Sequence, residues 1–127
     1  MAKEPAPRGR VFKTSGFAKL ARKAGIADEA LWAAIQQVMD GQCDDLGGGV
    51  FKKRLNKNLH RSIILAKGGR HWVYVFVFAK KDRANIEDGE LREFRLLANA
   101  YDKVTDKQLT QLIKNNDQME ICDGDQA

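Results

Sequence analysis

The sequence from 71 to 78 reads HWVYVFVF, in which every residue after His71 is apolar or aromatic. Valine alternates with aromatic residues, a composition typical of a β-strand. On a regular strand the valines would line one face and the rings the other, so both faces would be apolar. Such a strand is expected at the centre of a sheet.

Two more strands are predicted before this run. Period-two alternation indicates strands at Val50–Leu55 and Leu59–Ala66. Gly68 and Gly69 suit a tight turn ahead of residue 71. The triple glycine at 47–49 is interpreted as a flexible entry to the first of these strands.

Helical periodicity precedes the strand region. A short strand at residues 11–12 leads to a helix capped by Thr14 or Ser15 and closed by Gly25. Asp28 is predicted to cap a second helix.

Helical periodicity returns after the strands. Asp88 is the predicted cap of a third helix. Thr105 and Gln108 have the spacing of a capping box at the start of a fourth. Residues 117–127 are interpreted as either an extra edge strand or a tail.

The pattern predicts one domain with short ends. Residues 1–10 have no apolar period and are predicted to be a flexible tail, 11–121 a single domain, and 122–127 an acidic tail. No internal repeat or low-complexity tract is present in the sequence.

The charges are unevenly distributed. The chain has 22 Lys and Arg against 17 Asp and Glu, a formal charge of +5, and its stretch 50–83 holds only the acid Asp82. A basic middle region attracts phosphate backbones. Lysines on a solvated surface would give the same charge, so composition alone leaves both interpretations open.

Several classes of protein are disfavoured by the sequence. Cys43 and Cys122 are far apart, and His60 and His71 do not complete a zinc motif, so no metal site is expected. The longest apolar run is too short for a membrane span. We expect a cytoplasmic protein with free thiols and no membrane partner.

Alternation predicts where the cations of the first strands point. Lys52 and Arg54 would share one face, which is the candidate site. Arg61 would share a face with Leu59 and Ile63, where a buried unpaired guanidinium would be costly. An open groove on that face, with an RNA phosphate as the partner of Arg61, resolves this difficulty.

Two phrases carry a resemblance to a known family. The stretches Asp45–Leu55 (DLGGGVFKKRL) and Phe76–Ile86 (FVFAKKDRANI), in this order, resemble the RelE/ParE superfamily of toxins, particularly its HigB-like RelE branch. The resemblance extends from about Val11 to Ile121. It includes the stretches 17–25 (FAKLARKAG) and 106–112 (DKQLTQL).

The resemblance implies an α+β, RelE-like fold. The expected fold is a small, mainly antiparallel sheet, with two N-terminal helices and C-terminal helices packed on one face and a basic groove on the other. The implied activity is that of a type II toxin, which cleaves messenger RNA in the ribosomal A site and inhibits translation. A cognate antitoxin, expected to be a helix-turn-helix protein encoded by the adjacent gene, is implied as well.

The family's basic positions can be matched to this sequence. Its basic strand falls on Lys52, Lys53 and Arg54, its second-strand arginine on Arg61, and its terminal basic motif on Lys80 and Arg83. This chain departs from its relatives by having only residues 56–59 where many of them carry a long Gly- and Lys-rich loop. The shorter loop removes cations that relatives could use on ribosomal RNA or mRNA.

The hypothesis for the reaction needs no metal ion or other cofactor. RNA supplies its own nucleophile, the 2′-hydroxyl, so a base, cations at the phosphate and an acid suffice. Neighbouring positive charges favour the neutral form of a lysine amine, and Lys52 or Lys53 is the candidate base. Arg61 and Arg83 would stabilise the phosphate. Lys80 would help to position or protonate it.

Other residues are expected to bind the RNA. They are Arg54, Lys57, His60, Lys81 and Asn85. His60 is also a rival acid or base because histidine titrates near neutrality, although it alternates away from Arg61.

Two other functions are compatible with these residues. A ParE-like protein would inhibit DNA gyrase and would not be a nuclease. A non-catalytic regulator would bind nucleic acid through charge alone. The favoured hypothesis has mRNA and the ribosome as partners, alongside the antitoxin.

Overall fold

The apolar run at 71–79 forms an inner strand of the sheet. This strand, β5 (His71–Ala79), pairs antiparallel with β4 (His60–Lys67) and parallel with β1 (Arg10–Thr14). Trp72 and Tyr74 in it are buried. The predicted central position is confirmed.

The computed structural model describes residues 9–68 and 71–121. The other elements are, in chain order, α1 (Ser15–Ala24), α2 (Asp28–Met39), β2 (Asp44–Gly47), β3 (Val50–Leu55), α3 (Asp88–Asp102), α4 (Asp106–Lys114) and β6 (Gln118–Ile121). Within this part of the chain, six strands form a sheet in the order β2-β3-β4-β5-β1-β6, antiparallel except for the β1–β5 pair. The predicted α+β fold with a mainly antiparallel sheet is confirmed.

Helices cover both faces of the sheet. α1 and α2 pack on one face, in a cluster that includes Leu31 and Tyr74. α3 and α4 pack on the other face, in a cluster that includes Val73, Ala98 and Leu109. The expectation that all helices pack on one face is wrong, because consecutive strand residues such as Val73 and Tyr74 are both apolar and each face needs cover.

A bulge in β5 changes which of its side chains share a face. Tyr74 and Phe76 lie opposite consecutive residues of β4, which leaves Val75 without a counterpart. Val75 and Phe76 both pack on the α3 side. The predicted alternation of rings and valines is therefore wrong beyond Tyr74, and Phe78 lies on the same face as Val73.

The triple glycine is the turn of a hairpin that the sequence analysis did not predict. β2 pairs antiparallel with β3, and all three glycines have positive φ. A Cβ on Gly48 would lie 2.9 Å from the Cγ of Arg95 on α3, so glycine is required here by both backbone and packing. Arg95 donates a hydrogen bond to the carbonyl of Leu46, which joins α3 to this hairpin.

The turn between β3 and β4 is compact. Asn56, Lys57 and Asn58 all have positive φ, a conformation that asparagine tolerates better than most residues. Leu59 is exposed, and β4 begins at His60, one residue later than predicted.

The structure confirms Thr14, one of the two alternatives predicted as the cap of α1, and the capping box predicted for α4. The Oγ1 of Thr14 accepts a hydrogen bond from the N–H of Phe17 at the start of α1, and Thr105 forms the predicted capping box of α4. The predicted caps Asp28 and Asp88 are wrong by one residue, because each is the first residue of its helix.

The ends of the described chain lie side by side. β6 is an edge strand in which Ile121 lies opposite Val11, which answers the question that the sequence left open. Arg10, assigned to the predicted tail, is the first residue of β1. Residues 1–8, Gly69 of the predicted turn and the predicted tail 122–127 lie outside the described residues. The domain limits 11–121 stay a prediction.

Tyr74 provides a test of how α2 is attached to the sheet. Its buried hydroxyl donates a 2.7 Å hydrogen bond to the carbonyl of Leu31. We expect Tyr74→Phe to lower the free energy of unfolding by about 1 kcal/mol because this bond is lost. Urea denaturation would measure the change.

Tyr101 is the matched control. Its hydroxyl is buried and has no hydrogen-bond partner among the described residues, so Tyr101→Phe should change the unfolding free energy little. Equal losses in both variants would contradict the assignment of the Tyr74 bond.

Candidate nucleic-acid interface

The register of three strands gathers cations on one face of the sheet. Arg54 lies opposite Arg61, and Arg61 lies opposite Phe78. Lys52 is two residues before Arg54 on β3 and therefore shares its face. This is the face that α3 and α4 cover elsewhere, and here Arg54 is exposed and Arg61 half-buried. We call Lys52, Arg54, Arg61 and Arg83 the cationic face; the contacts of Arg83 place it here.

Arg83 is held over Phe78 by contacts on several sides. Its Cζ lies 5.3 Å from the centre of the Phe78 ring. Its Nε donates to the carbonyl of Asn85 at 3.1 Å, and its Nη1 donates to Oε2 of Glu90 at 3.2 Å. Nη2 binds the other oxygen of Glu90. Because Phe78 is the cross-strand neighbour of Arg61, these contacts place Arg83 on the face of Arg61.

Asn85 connects Arg83 to Lys52. The side-chain oxygen of Asn85 lies 3.3 Å from Nζ of Lys52, while its carbonyl accepts the bond from Arg83. Lys52 also lies 3.6 Å from a carboxylate oxygen of Asp44 on β2. The loop after β5 is thereby brought back to β3, although 33 residues separate Asn85 from Lys52.

The guanidinium of Arg61 donates its hydrogen bonds to main-chain oxygens. Its Nη1 donates to the carbonyls of Asn58 at 3.1 Å and His60 at 3.2 Å. The compact β3–β4 turn supplies the first of these carbonyls. No charged partner of Arg61 is found in the described part of the chain, so its charge remains available to a phosphate.

Lys53 points to the opposite face from Lys52. It lies opposite Ser62, and its Nζ donates to the carbonyl of Gln42 at 2.9 Å. At the sheet edge it nevertheless lines a cavity of about 240 Å³ together with Lys52 and Arg54. The structure thus places the two candidate bases, Lys52 and Lys53, on opposite faces of the sheet.

Other predicted RNA-binding residues lie around the end of β5. His60 is on the Lys53 side of the sheet, and its Nδ1 is 3.1 Å from the side-chain Nδ2 of Asn56. Lys80 and Lys81 are exposed and line a cavity of about 580 Å³ with His60 and Leu59. Lys57 is exposed in the β3–β4 turn. Among the described residues, no hydrogen bond between side chains joins these residues to Arg61 or Arg83.

Glu90 is the residue at this site that the sequence analysis missed. It is the third residue of α3, and its Oε1 accepts the N–H of Glu87 at 2.7 Å in a capping box. The spacing of Glu87 and Glu90 was the available signal, but the cap was assigned to Asp88. Its hydrogen bonds with Arg83 lower the pKa of Glu90 and raise the pKa of Arg83.

The aromatic residues of β5 belong mainly to the core. Phe78 is buried beneath Arg83, and its ring centre lies 5.9 Å from that of Phe76. Phe76 in turn lies 6.0 Å from Phe94 on α3. This row of rings extends from the helix-covered core to the cationic face.

Residues 9–68 and 71–121 show neither a membrane-spanning helix nor a cluster of metal ligands. No helix there has the length and apolar character needed to cross a membrane. No group of three or more His, Cys, Asp or Glu side chains in that part could hold a metal ion.

The α+β fold, with four helices and a mostly antiparallel six-stranded sheet in the described residues, is consistent with a RelE-like fold. A protein-family model described as the RelE toxin of the RelE/RelB toxin-antitoxin system matches residues 9–121. The chain belongs to the RelE toxin family, and this membership implies an antitoxin as its partner. A search of curated proteins gave no match.

The titration of Glu90 tests the contacts of Arg83. Because the bound guanidinium lowers the pKa of Glu90, the pair contributes stability above the ordinary carboxyl range and loses it as pH falls through the lowered pKa. In Arg83→Ala, the pKa of Glu90 should rise towards its ordinary value. NMR detection of the side-chain carboxyl carbon would measure it.

Glu120 serves as the internal control. The pKa of Glu120 is lowered by its hydrogen bonds with Arg10, so it should titrate alike in both proteins. An unchanged Glu90 titration in Arg83→Ala would contradict the pairing.

Proposed function

We propose that this toxin is an endoribonuclease that cleaves messenger RNA on the ribosome without a metal ion and so inhibits translation. One observation supports this most directly. Lys52, Arg61 and Arg83 come from β3, β4 and the loop after β5, and they share one face of the sheet, where Glu90 in the first turn of α3 binds Arg83. A concentration of cations on one face suits a phosphate backbone.

The chemistry assigns a role to each cation. The 2′-hydroxyl of the RNA attacks the adjacent phosphorus, its proton passes to a base, and the 5′ oxygen leaves with a proton from an acid. Arg61 and Arg83 stabilise the charge that develops on the phosphate oxygens. Arg54, exposed on the same face, binds the neighbouring backbone.

Lys52 is the preferred base over Lys53. Lys52 lies on the face of Arg61, and its amine is within 3.3 Å of Asn85, which also binds Arg83. The amine of Lys53 instead binds the carbonyl of Gln42 from the other face. We therefore place Lys53 in RNA binding at the sheet edge.

The remaining cations extend the RNA path around the strand end. Lys80, Lys81 and His60 line a cavity beside the exposed Leu59, next to Lys57 in the turn. In this proposal they bind the flanking RNA or ribosomal RNA. Lys80 is also the candidate acid that protonates the leaving 5′ oxygen. Asn85 orients Lys52 and Arg83 through its two oxygens.

Two triple alanine variants, which remove the same charge from different surfaces, test the proposed nuclease activity. We expect Lys52→Ala/Arg61→Ala/Arg83→Ala to lose at least about 100-fold in cleavage of ribosome-bound transcripts, because single charge-stabilising groups are worth this much. Primer extension in a coupled translation extract would measure the cut sites and their rate.

The control removes the same charge elsewhere. Lys19, Lys23 and Lys107 are exposed on α1 and α4, away from the cationic face, and their triple alanine variant should cut as the unaltered protein does. Equal losses in the two triple variants would indicate a general charge effect. Gyrase-linked DNA breaks, or salt-sensitive RNA binding with no cleavage by the unaltered protein, would favour the two alternative functions.

Growth assays test the partner. We propose that the antitoxin is a helix-turn-helix protein encoded by the adjacent gene and that it covers part of the cationic face or docks on the helices. Expression of the toxin alone should arrest growth, and co-expression of the adjacent reading frame should relieve the arrest. Persistent arrest on co-expression would reject that gene product as the antitoxin.

A further inference from the structure

Glu90 is the carboxylate that binds Arg83, one of the two arginines proposed to stabilise the phosphate. Both of its oxygens bind the guanidinium of Arg83, and Oε1 also accepts the N–H of Glu87. The side chain is therefore tied at once to the first turn of α3 and to the cationic face. A negative charge is also stabilised in the first turn of a helix, so this position holds the carboxylate firmly.

The contacts of Arg83 fix the plane and direction of its guanidinium. The Phe78 ring lies under it, Asn85 binds Nε, and Glu90 binds Nη1 and Nη2. Each terminal nitrogen of a guanidinium carries a second N–H. Those second N–H groups are directed along the edges of the guanidinium plane, where a phosphate oxygen can accept them.

We propose that Glu90 is a positioning residue for RNA cleavage, acting through Arg83. It holds the guanidinium over Phe78, on the face of Arg61, so that both arginines bind the same scissile phosphate. This inference rests on the proposed function. Preorganised charge is effective because the protein does not have to reorient it as the transition state forms.

The opposite role for Glu90 makes a different prediction. If the carboxylate only competed with the phosphate for Arg83, its removal would strengthen RNA binding and leave cleavage intact or faster. The contacts favour positioning because the same carboxylate is anchored by the cap of α3, and Asn85 and Phe78 hold Arg83 in the same place.

The first experiment uses Glu90→Gln, which keeps an oxygen for the N–H of Glu87 and removes the charge. We expect kcat for cleavage of ribosome-bound transcripts to fall by about 10- to 100-fold, with KM nearly unchanged, because misplacement of a catalytic group has costs of this order. Glu90→Ala should lose at least as much. A thermal melt of each variant would confirm that it is folded.

The second experiment is a double-variant cycle. If Glu90 acts through Arg83, adding Glu90→Gln to Arg83→Ala should cause no further loss of kcat. A loss that multiplies with that of Arg83→Ala would overturn the proposal, because Glu90 would then act on its own.

The chain offers a close structural match as a control. Arg10 lies 5.0 Å over the Phe12 ring and binds both oxygens of Glu120, at 2.9 and 2.8 Å. Glu120→Gln breaks this similar arrangement away from the cationic face and should leave kcat unchanged. Gln108→Ala, which breaks the capping box of α4, controls for the loss of a helix cap.

The outcomes separate this inference from the proposed function. Tighter RNA binding with undiminished cleavage in Glu90→Gln, or an equal loss in Glu120→Gln, overturns the positioning role. If the unaltered protein cleaves no transcript, the proposed nuclease fails, and Glu90 is judged by affinity for a 2′-O-methyl RNA. A loss of affinity matching that of Arg83→Ala then supports its action on Arg83, and unchanged affinity overturns it.

Discussion

The bulge at Val75 in β5 is the constraint on which the cationic face depends. In an uninterrupted strand, Phe78 would point to the α1 side together with Tyr74. The extra residue turns Phe78 to the other face, opposite Arg61, where its ring lies beneath the guanidinium of Arg83. This single bulge therefore brings Arg61 of β4 and Arg83 of the loop after β5 to the same face of the sheet.

The same face serves both packing and charge. Near Val73 it is covered by α3 and α4, and the aromatic row from Phe94 through Phe76 to Phe78 ends at the cations. The buried rings support the cations rigidly, whereas lysines on an open surface have no such support. Bonds to main-chain carbonyls, Asn85 and Glu90 then restrict how the cations can move. An ordered cationic surface of this kind loses less entropy when it binds a phosphate.

Part of this site follows from local patterns. Alternation along β3 and β4 correctly separates Lys52 and Arg54 from Lys53, and it correctly turns His60 away from Arg61. Glu90 could not be found in this way, because its partner Arg83 is reached through a loop without a repeating pattern. β2 was missed for a similar reason: its four residues, Asp44–Gly47, carry no apolar alternation.

The sequence by itself determined the order of most helices and strands, the Thr105 cap of α4, the inner position of β5 and the basic character of its middle region. Periodicity, capping chemistry and charge are local properties, and a single sequence displays them. Only the tertiary structure decided that helices cover both faces, that β5 contains a bulge, and that Arg83 lies on the face of Arg61 with Glu90 as its partner. These features arise from side-chain packing and strand register between segments distant along the chain, and an apolar strand carries no local mark of the register it will adopt.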